Sequence, residues 1–409
     1  MKNKSGGYPM KTAVAITSEI DDLDLAVKEL TSQIKEKLEL ERNSIGIAYC
    51  DADMDISKLG ELLHAELGMD IVGLTTTATV ERRYGYNDMG VVLSVLTAHD
   101  VTFSVGCTEE LNTDSFPNSI KKAYIDTRKK INEDPKLILT FAPYIADLTS
   151  ENYVEILDEA SGGVPIFGGV ATDHYDLQYQ KTFFNDRDFS KGLVFVLLTG
   201  NIKPIFAMEH HFGAKVEKKG IITKSTGNLI QKVGDQTFKE FVASMVPVPD
   251  EDLVIYHFQS TPFIMELPDY GKDEQPVVRA LCTIDHTTGA GGFLSKMPEG
   301  SAIYLNVFQR DNLSESCNAA LTKLIDQMKK NKDYKYSMIF ISTCNARHLL
   351  MGDVKNLEAD IITEKLRDLT PELNAAGFYC FGEMCPTGER GDGTARNRFH
   401  NISFTLCAI

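Results

Sequence analysis

The densest group of chemically capable side chains lies near the C-terminus, in GFYCFGEMCPTGERGDGTARNRFHN, residues 377–401. It holds Cys380, Glu383, Cys385, Arg396, His400 and Asn401. Glu383 follows Gly382 at the end of one strand-like run, and His400 and Asn401 open the next. A strand–loop–strand return would set these residues across one loop. Arg347, just after the apolar run YSMIFISTC, can join them from a neighbouring strand. Its planar five-donor fork matches a carboxylate in two-point fashion. A carboxylate, a guanidinium, an imidazole and an amide would then converge, which is what recognition of a zwitterion needs. The same set could instead be a self-satisfied polar network, with Arg347 salt-bridged to Glu383 or Glu358.

Three other chemistries are weaker. Cys344 as a nucleophile needs a base and an oxyanion hole. His400 is a candidate base, with Glu383 behind it, but nothing in the sequence puts it within reach, and a buried structural thiol is the favoured reading. None of the eight cysteines forms a C-x-x-C pair, and the Cys380–Cys385 spacing fits no common zinc knuckle. Gly168 and Gly169, followed by Asp173, either bring backbone close to a ligand or mark a tight strand bend. Their context, FGGVATD, is not a dinucleotide fingerprint. The expected ligand-binding residues are therefore Cys344, Arg347, Gly382, Glu383, His400 and Asn401, with Gly168, Gly169 and Asp173. No catalytic residue, metal ligand or cofactor is expected.

These residues need strands to hold them. Helical spacing recurs in Leu23/Val27/Leu30/Ile34, in Leu59/Leu62/Leu63/Leu67, in Val154/Ile156/Leu157 and in Leu321/Leu324/Ile325/Met328. Ser150 and Asp235 are candidate N-caps. Three segments share one order of buried strand, helix, Gly-bearing strand, loop and apolar strand. They are SIGIAYC…DIVGLTTTATV…GVVLSVL, KLILTFA…VPIFGGVATD…GLVFVLL and YSMIFISTC…AGFYCFGEMCP…NISFTLCAI. A fourth, DLVIYHF…GGFLSKMPEG…SAIYLNVF, lacks a clear helix. The reading is a degenerate β(α)ββ unit used about four times, two per domain. GIITKSTGNLIQKV is a hairpin suited to the junction between the domains. The expected fold class is α/β (α+β): two packed domains, with mixed sheets that contain antiparallel pairs covered by helices.

The chain resembles the FIST family, with FIST-N and FIST-C domains in tandem. The matching pieces are DLAVKEL, IVGLTTTATV, IFGGVATD and GLVFVLLTG, then GIITKSTGNLIQKVGDQTFKEF, then STCNARHLLMG, Glu358, AGFYCFGE and FHNISFTL. Their order and spacing carry the resemblance. GLTTTATV departs from it by lacking the Ala-Gly that often follows the threonines. The resemblance implies residues 1–39 as an N-terminal segment with the first helix, 40–234 as FIST-N and 235–409 as FIST-C. It also implies an intracellular sensory protein of signal transduction that binds a small molecule such as an amino acid or related metabolite. Only about 20 residues precede the first helix, so no fused output domain is expected and the signal would pass to a partner protein. The alternatives are a hydrolase or transferase built on Cys344, Glu383 and His400, and a protein-interaction scaffold without a ligand.

Composition fits this frame. The 409 residues are too many for one core. A net charge of −16 argues against a nucleic-acid partner. No apolar run of about 18 residues is present to span a membrane, and the N-terminus lacks the apolar stretch of a secretory signal. Scattered cysteines inside apolar runs suit a reduced, cytoplasmic protein.

Overall fold

The structure is a computed structural model that describes residues 8, 10–145, 148–210, 214–250, 253–258, 260–268 and 276–409. It is α/β with mixed sheets, and its organising feature is a unit used three times. Each unit runs edge strand, helix, central strand, helix, second strand, hairpin and return strand. In the first unit these are Lys11–Thr17, Leu23–Lys37, Asn43–Asp51, Ile56–Leu67, Asp70–Thr76, the hairpin Thr79–Glu81/Gly85–Asn87, and Val91–Ala98. The second begins at Val101–Cys107 and ends at Val194–Gly200. The third begins at Ile205–Glu209 and ends at Phe404–Ala408.

The helices form for local reasons. Asp22 and Asp55 accept from Leu25 N and Lys58 N, each satisfying an otherwise orphaned amide of a first turn. Gly68, at φ 66°, ends the second helix in the left-handed conformation. Ser150 precedes its helix without a side-chain cap bond. The helix expected to be capped by Asp235 is instead capped by Thr237, with Glu240 completing a capping box.

In each unit the central strand pairs parallel with the second strand and antiparallel with the return strand. The hairpins do not stay in their own sheets. The hairpin of the first unit pairs with the third unit's second strand (Val80 opposite Gly377). That of the second pairs with the first (Phe183 opposite Gly73), and that of the third with the second (Met384 opposite Gly168). The result is three six-stranded sheets closed by a cyclic exchange.

One glycine position makes the exchange possible. A Cβ on Gly73, Gly168 or Gly377 would lie 1.8, 1.9 or 2.1 Å from the carbonyl oxygen of Ala48, Thr140 or Ile341, respectively. Gly168 therefore serves a close approach of strands.

Strand alternation sorts the core. Ile47 and Tyr49, Leu139 and Phe141, and Phe340 and Phe378 come from all three units and share one central cluster. The opposite faces pack under the helices in clusters drawn mainly from one unit and completed by another unit's exchanged hairpin, through Val80, Phe183 or Met384.

One expectation is corrected. The fourth segment is not a copy of the unit, because it has no crossover helix to cover a parallel pair. With the 214–233 hairpin it forms an eight-stranded antiparallel sheet inserted between the third unit's edge strand and its long helix Arg310–Lys330. That hairpin opens the insertion. Among the described residues, no helix is long and apolar enough to cross a membrane.

Candidate functional site

The ends of the three second strands meet. Thr172 N donates to Thr75 O at 3.0 Å, and Thr75 Oγ1 donates to Thr172 O at 2.9 Å. Thr76 and Thr172 hydroxyls both donate to Tyr379 O, at 2.8 and 3.2 Å. Thr77 N donates to Thr172 Oγ1 at 2.8 Å, and Thr77 Oγ1 to Asp173 O at 2.7 Å. Short hydroxyl side chains suit this place because each can bond a neighbouring strand's backbone where the sheet ladders stop.

Beyond the knot, Asp173 shapes a loop. Its buried carboxylate accepts the amides of Leu177, Gln178 and Tyr179 at 3.1, 2.8 and 2.9 Å. Tyr175 and Leu177 sit at φ 75° and 57°, a conformation that costs free energy in non-glycine residues and that this carboxylate stabilises. The loop brings His174 and Tyr175 to a cavity of about 440 Å³. The first unit contributes Asp51, Thr77 and Asp88 to its wall, and the third contributes His348 and Lys355.

A hydrogen-bond chain spans the cavity wall. Tyr175 Oη lies 2.7 Å from His348 Nδ1, and Tyr86 Oη lies 2.7 Å from His348 Nε2. Tyr86 also bonds Asp88, which pairs with Lys355 at 2.8 Å. Burial pushes His348 down to about 4, so its ring is neutral near pH 7, with one donor and one acceptor nitrogen. With Tyr86 donating to Asp88, the order follows: Tyr175 donates to Nδ1 and Nε2–H donates to Tyr86. Burial raises both tyrosines above the usual phenol range.

The residues singled out from the sequence go elsewhere. Arg347 is wholly buried, and its Nε and Nη2 both reach Glu358 Oε1 at 2.7 Å. Its Nη2 also donates to Leu313 O, and Glu358 further accepts from Thr343 and Tyr379. The expected convergence with Glu383 and His400 is thus replaced by a buried ion-pair network, because the short helix Asn345–Met351 carries Arg347 to the helix Leu357–Leu366. Asn401 accepts from Ser295 Oγ at 2.9 Å and ties the inserted sheet to the third unit. His400 is the register partner of Glu383, but its Nε2 bonds Cys385 O at 3.0 Å. Burial, reinforced by His210, pushes His400 down to about 3.

Glu383 and Cys344 do come together. Glu383 accepts from Ser403 Oγ at 2.5 Å, from Ser403 N at 3.1 Å and from Cys380 Sγ at 3.3 Å, and Cys344 also donates to it. Burial raises its carboxyl to about 7 against the pull of Ser403. Both thiols are held well above the usual thiol range, first by burial and then by Glu383. Gly169 faces this cluster, since a Cβ there would lie 2.8 Å from Cys380 Sγ. Gly382, at φ 137°, turns the chain into the hairpin over the Phe399 ring. Glu383, Cys344 and Cys380 are buried and do not line the cavity.

The sequence reading missed Asp51, Asp53, His174, Tyr175 and His348. Each lies within a few residues of a strand end or beside a residue that was chosen: His174 follows Asp173, and His348 follows Arg347. Strand-end placement was the usable signal.

Comparison with known proteins settles the family. The model of the FIST N domain matches residues 44–236, and that of the FIST C domain matches 239–386. The chain belongs to the FIST family. FIST domains are sensory-type domains. Both ends of the cavity's hydrogen-bond chain, Tyr175 and Lys355, fall within matched regions, one in each FIST domain. An uncharacterized protein of Methanocaldococcus jannaschii is 24% identical over 318 residues, 70% of this chain and 57% of its own length. The chain thus spans less than two thirds of that relative. A crystal structure of cyanuric acid hydrolase from A. caulinodans aligns over 97% of this chain and 98% of its own, at 9% identity and TM-score 0.35. At that level nothing about activity follows.

Proposed function

We propose that this FIST protein is a non-catalytic cytoplasmic sensor that binds an amino acid or related amine-bearing metabolite in the three-unit cavity. The observation that carries the reading is one cavity walled by polar groups from all three units. Asp51 and Asp53 suit the amino end of a ligand, and Lys355 suits a carboxylate by exchanging its partner Asp88. A ligand there bridges loops that are also joined by the Tyr175–His348–Tyr86 chain and by the Asp88–Lys355 and Asp51–His174 contacts. That provides a route from occupancy to a surface read by a signalling partner.

Non-catalytic binding is supported by the state of the alternative's groups. Cys344 is buried with a raised thiol, and His400 is buried with Nε2 bonded to Cys385 O. Eight free cysteines, six of them buried, suit a reducing compartment.

The test is a thermal-shift screen of amino acids and related amines on the full chain. A ligand at 100 times its Kd stabilises by about 2.7 kcal/mol. Lys355 is half exposed, so Lys355→Ala is expected to leave the unliganded midpoint unchanged and to remove the shift from carboxylate-bearing ligands. A panel without any concentration-dependent shift, or turnover of the stabilising compound, overturns the reading.

A further inference from the structure

We propose that Asp51, Asp53 and His174 bind a divalent first-row transition metal ion, of the zinc or manganese type, at one end of this cavity. One ligand atom from each residue lies within 4.8 Å of the other two. His174 Nε2 is 3.3 Å from Asp51 Oδ1 and 3.5 Å from Asp53 Oδ2. Ligand atoms held at roughly 2.0–2.2 Å around a tetrahedral ion are about 3.3–3.6 Å apart, so the imidazole and carboxylates already have the needed spacing.

The second observation is Asp51 itself. It is 3% exposed and ends the central strand Asn43–Asp51, which is paired on both sides. Its Oδ1 receives the Asp53 amide at 2.9 Å and the His174 contact. Its Oδ2 has no hydrogen-bond partner among the described residues, and Asp51 lines the cavity. Oδ2 therefore keeps its lone pairs free toward the cavity, where a cation can complete the carboxylate. The nearest lysine of the wall, Lys355, is already paired with Asp88.

The donor set also suits a metal ion. In the tautomer with its proton on Nδ1, His174 presents an Nε2 lone pair to the two carboxylate oxygens. A cation between them removes the repulsion, and three oxygen and nitrogen donors of this kind suit first-row divalent ions. The Asp53 amide fixes Asp51, so the donor set is partly organised beforehand. Three protein ligands leave at least one coordination position open, and it faces the cavity. Asp53 and His174 are accessible, which provides an entry path. If the sensing reading also holds, the ligand end bound here is a metal-coordinating amine and carboxylate instead of an ammonium.

The experiment is calorimetric titration of chelator-stripped full-length protein with Zn²⁺ and, separately, Mn²⁺, repeated on His174→Ala and Asp53→Ala. Both altered side chains are solvent-accessible, so folding should persist; thermal melts of the metal-free variants check this. One equivalent is expected for the parent chain, with affinity at least ten-fold weaker in His174→Ala and in Asp53→Ala. Absence of saturable one-equivalent binding overturns the proposal. So does unchanged affinity in folded His174→Ala, which would assign the ion to thiols. Repeating the amino acid screen in excess chelator separates the two readings. A shift that survives chelation without metal binding by the parent chain keeps the sensor and removes the metal site. Metal binding without any ligand shift does the reverse.

Discussion

Arg347→Ala is expected to destabilise the fold by about 3–5 kcal/mol, the usual cost of breaking one side of a buried ion pair. The side chain is 0% exposed, as is its partner Glu358. Truncation removes the 2.7 Å contacts to Glu358 and the 3.2 Å bond to Leu313 O. Hydrogen bonds to charged groups contribute roughly 1.5–3 kcal/mol each. Glu358 would keep only the Thr343 hydroxyl at 3.0 Å and the Tyr379 hydroxyl at 3.2 Å. Two neutral donors do not replace a guanidinium in a dry core. Against a typical total stability of about 5–15 kcal/mol, the variant should show a much lower urea midpoint and a reduced folded yield. A double-mutant cycle sharpens the test. Arg347→Met with Glu358→Leu removes both charges and fills the space, so the pair should be less destabilised than Arg347→Ala alone. A urea midpoint for Arg347→Ala equal to that of the parent chain would refute this reasoning. So would a stable variant that lost only ligand affinity, because Arg347 would then be a binding residue after all.

Other expectations concern pH and backbone. The folded-state pKa of Glu383, about 7, lies above its ordinary 4.5, so its contribution is complete below pH 4.5 and is lost as pH rises through 7. That amounts to ~3 kcal/mol, and Glu383→Gln should flatten the fall in stability measured by urea unfolding between pH 5 and 8. His210 and His348, lowered to about 4, and His400, lowered to about 3, act in the opposite sense. Their contributions are complete above pH 6.5 and are lost as pH falls toward 4 and 3, so His400→Gln should move the acid-unfolding midpoint to lower pH; an unmoved midpoint would exclude this source. Gly168→Ala places a Cβ 1.9 Å from Thr140 O at φ 153°, and strain alone costs about 1–3 kcal/mol, so little soluble folded protein is expected on expression. Normal yield and melting would show that the strand contact relaxes easily.

The sequence by itself determined the local pieces: helices with apolar faces, buried strands, and a strand–helix–strand unit that recurs. Periodicity and caps act over a few residues, so SIGIAYC, KLILTFA and YSMIFISTC could be read as equivalent strands without knowing their neighbours. The FIST resemblance was also legible, because it rests on the order of short pieces. Which strands pair was decided only by tertiary structure. The hairpin at Thr79–Asn87 finds its partner at Ala376–Phe378, about 300 residues away, through backbone hydrogen bonds that any sequence can make. Side-chain direction was hidden for the same reason. Arg347 and His348 are adjacent, yet helical geometry turns one into an ion pair with Glu358 and the other toward Tyr86 and Tyr175 at the cavity. Asp51 and His174 are 123 positions apart in the chain. They meet because the exchanged hairpins close three sheets on one another and bring the strand ends, where the ladders stop and polar groups need new partners, to a common place.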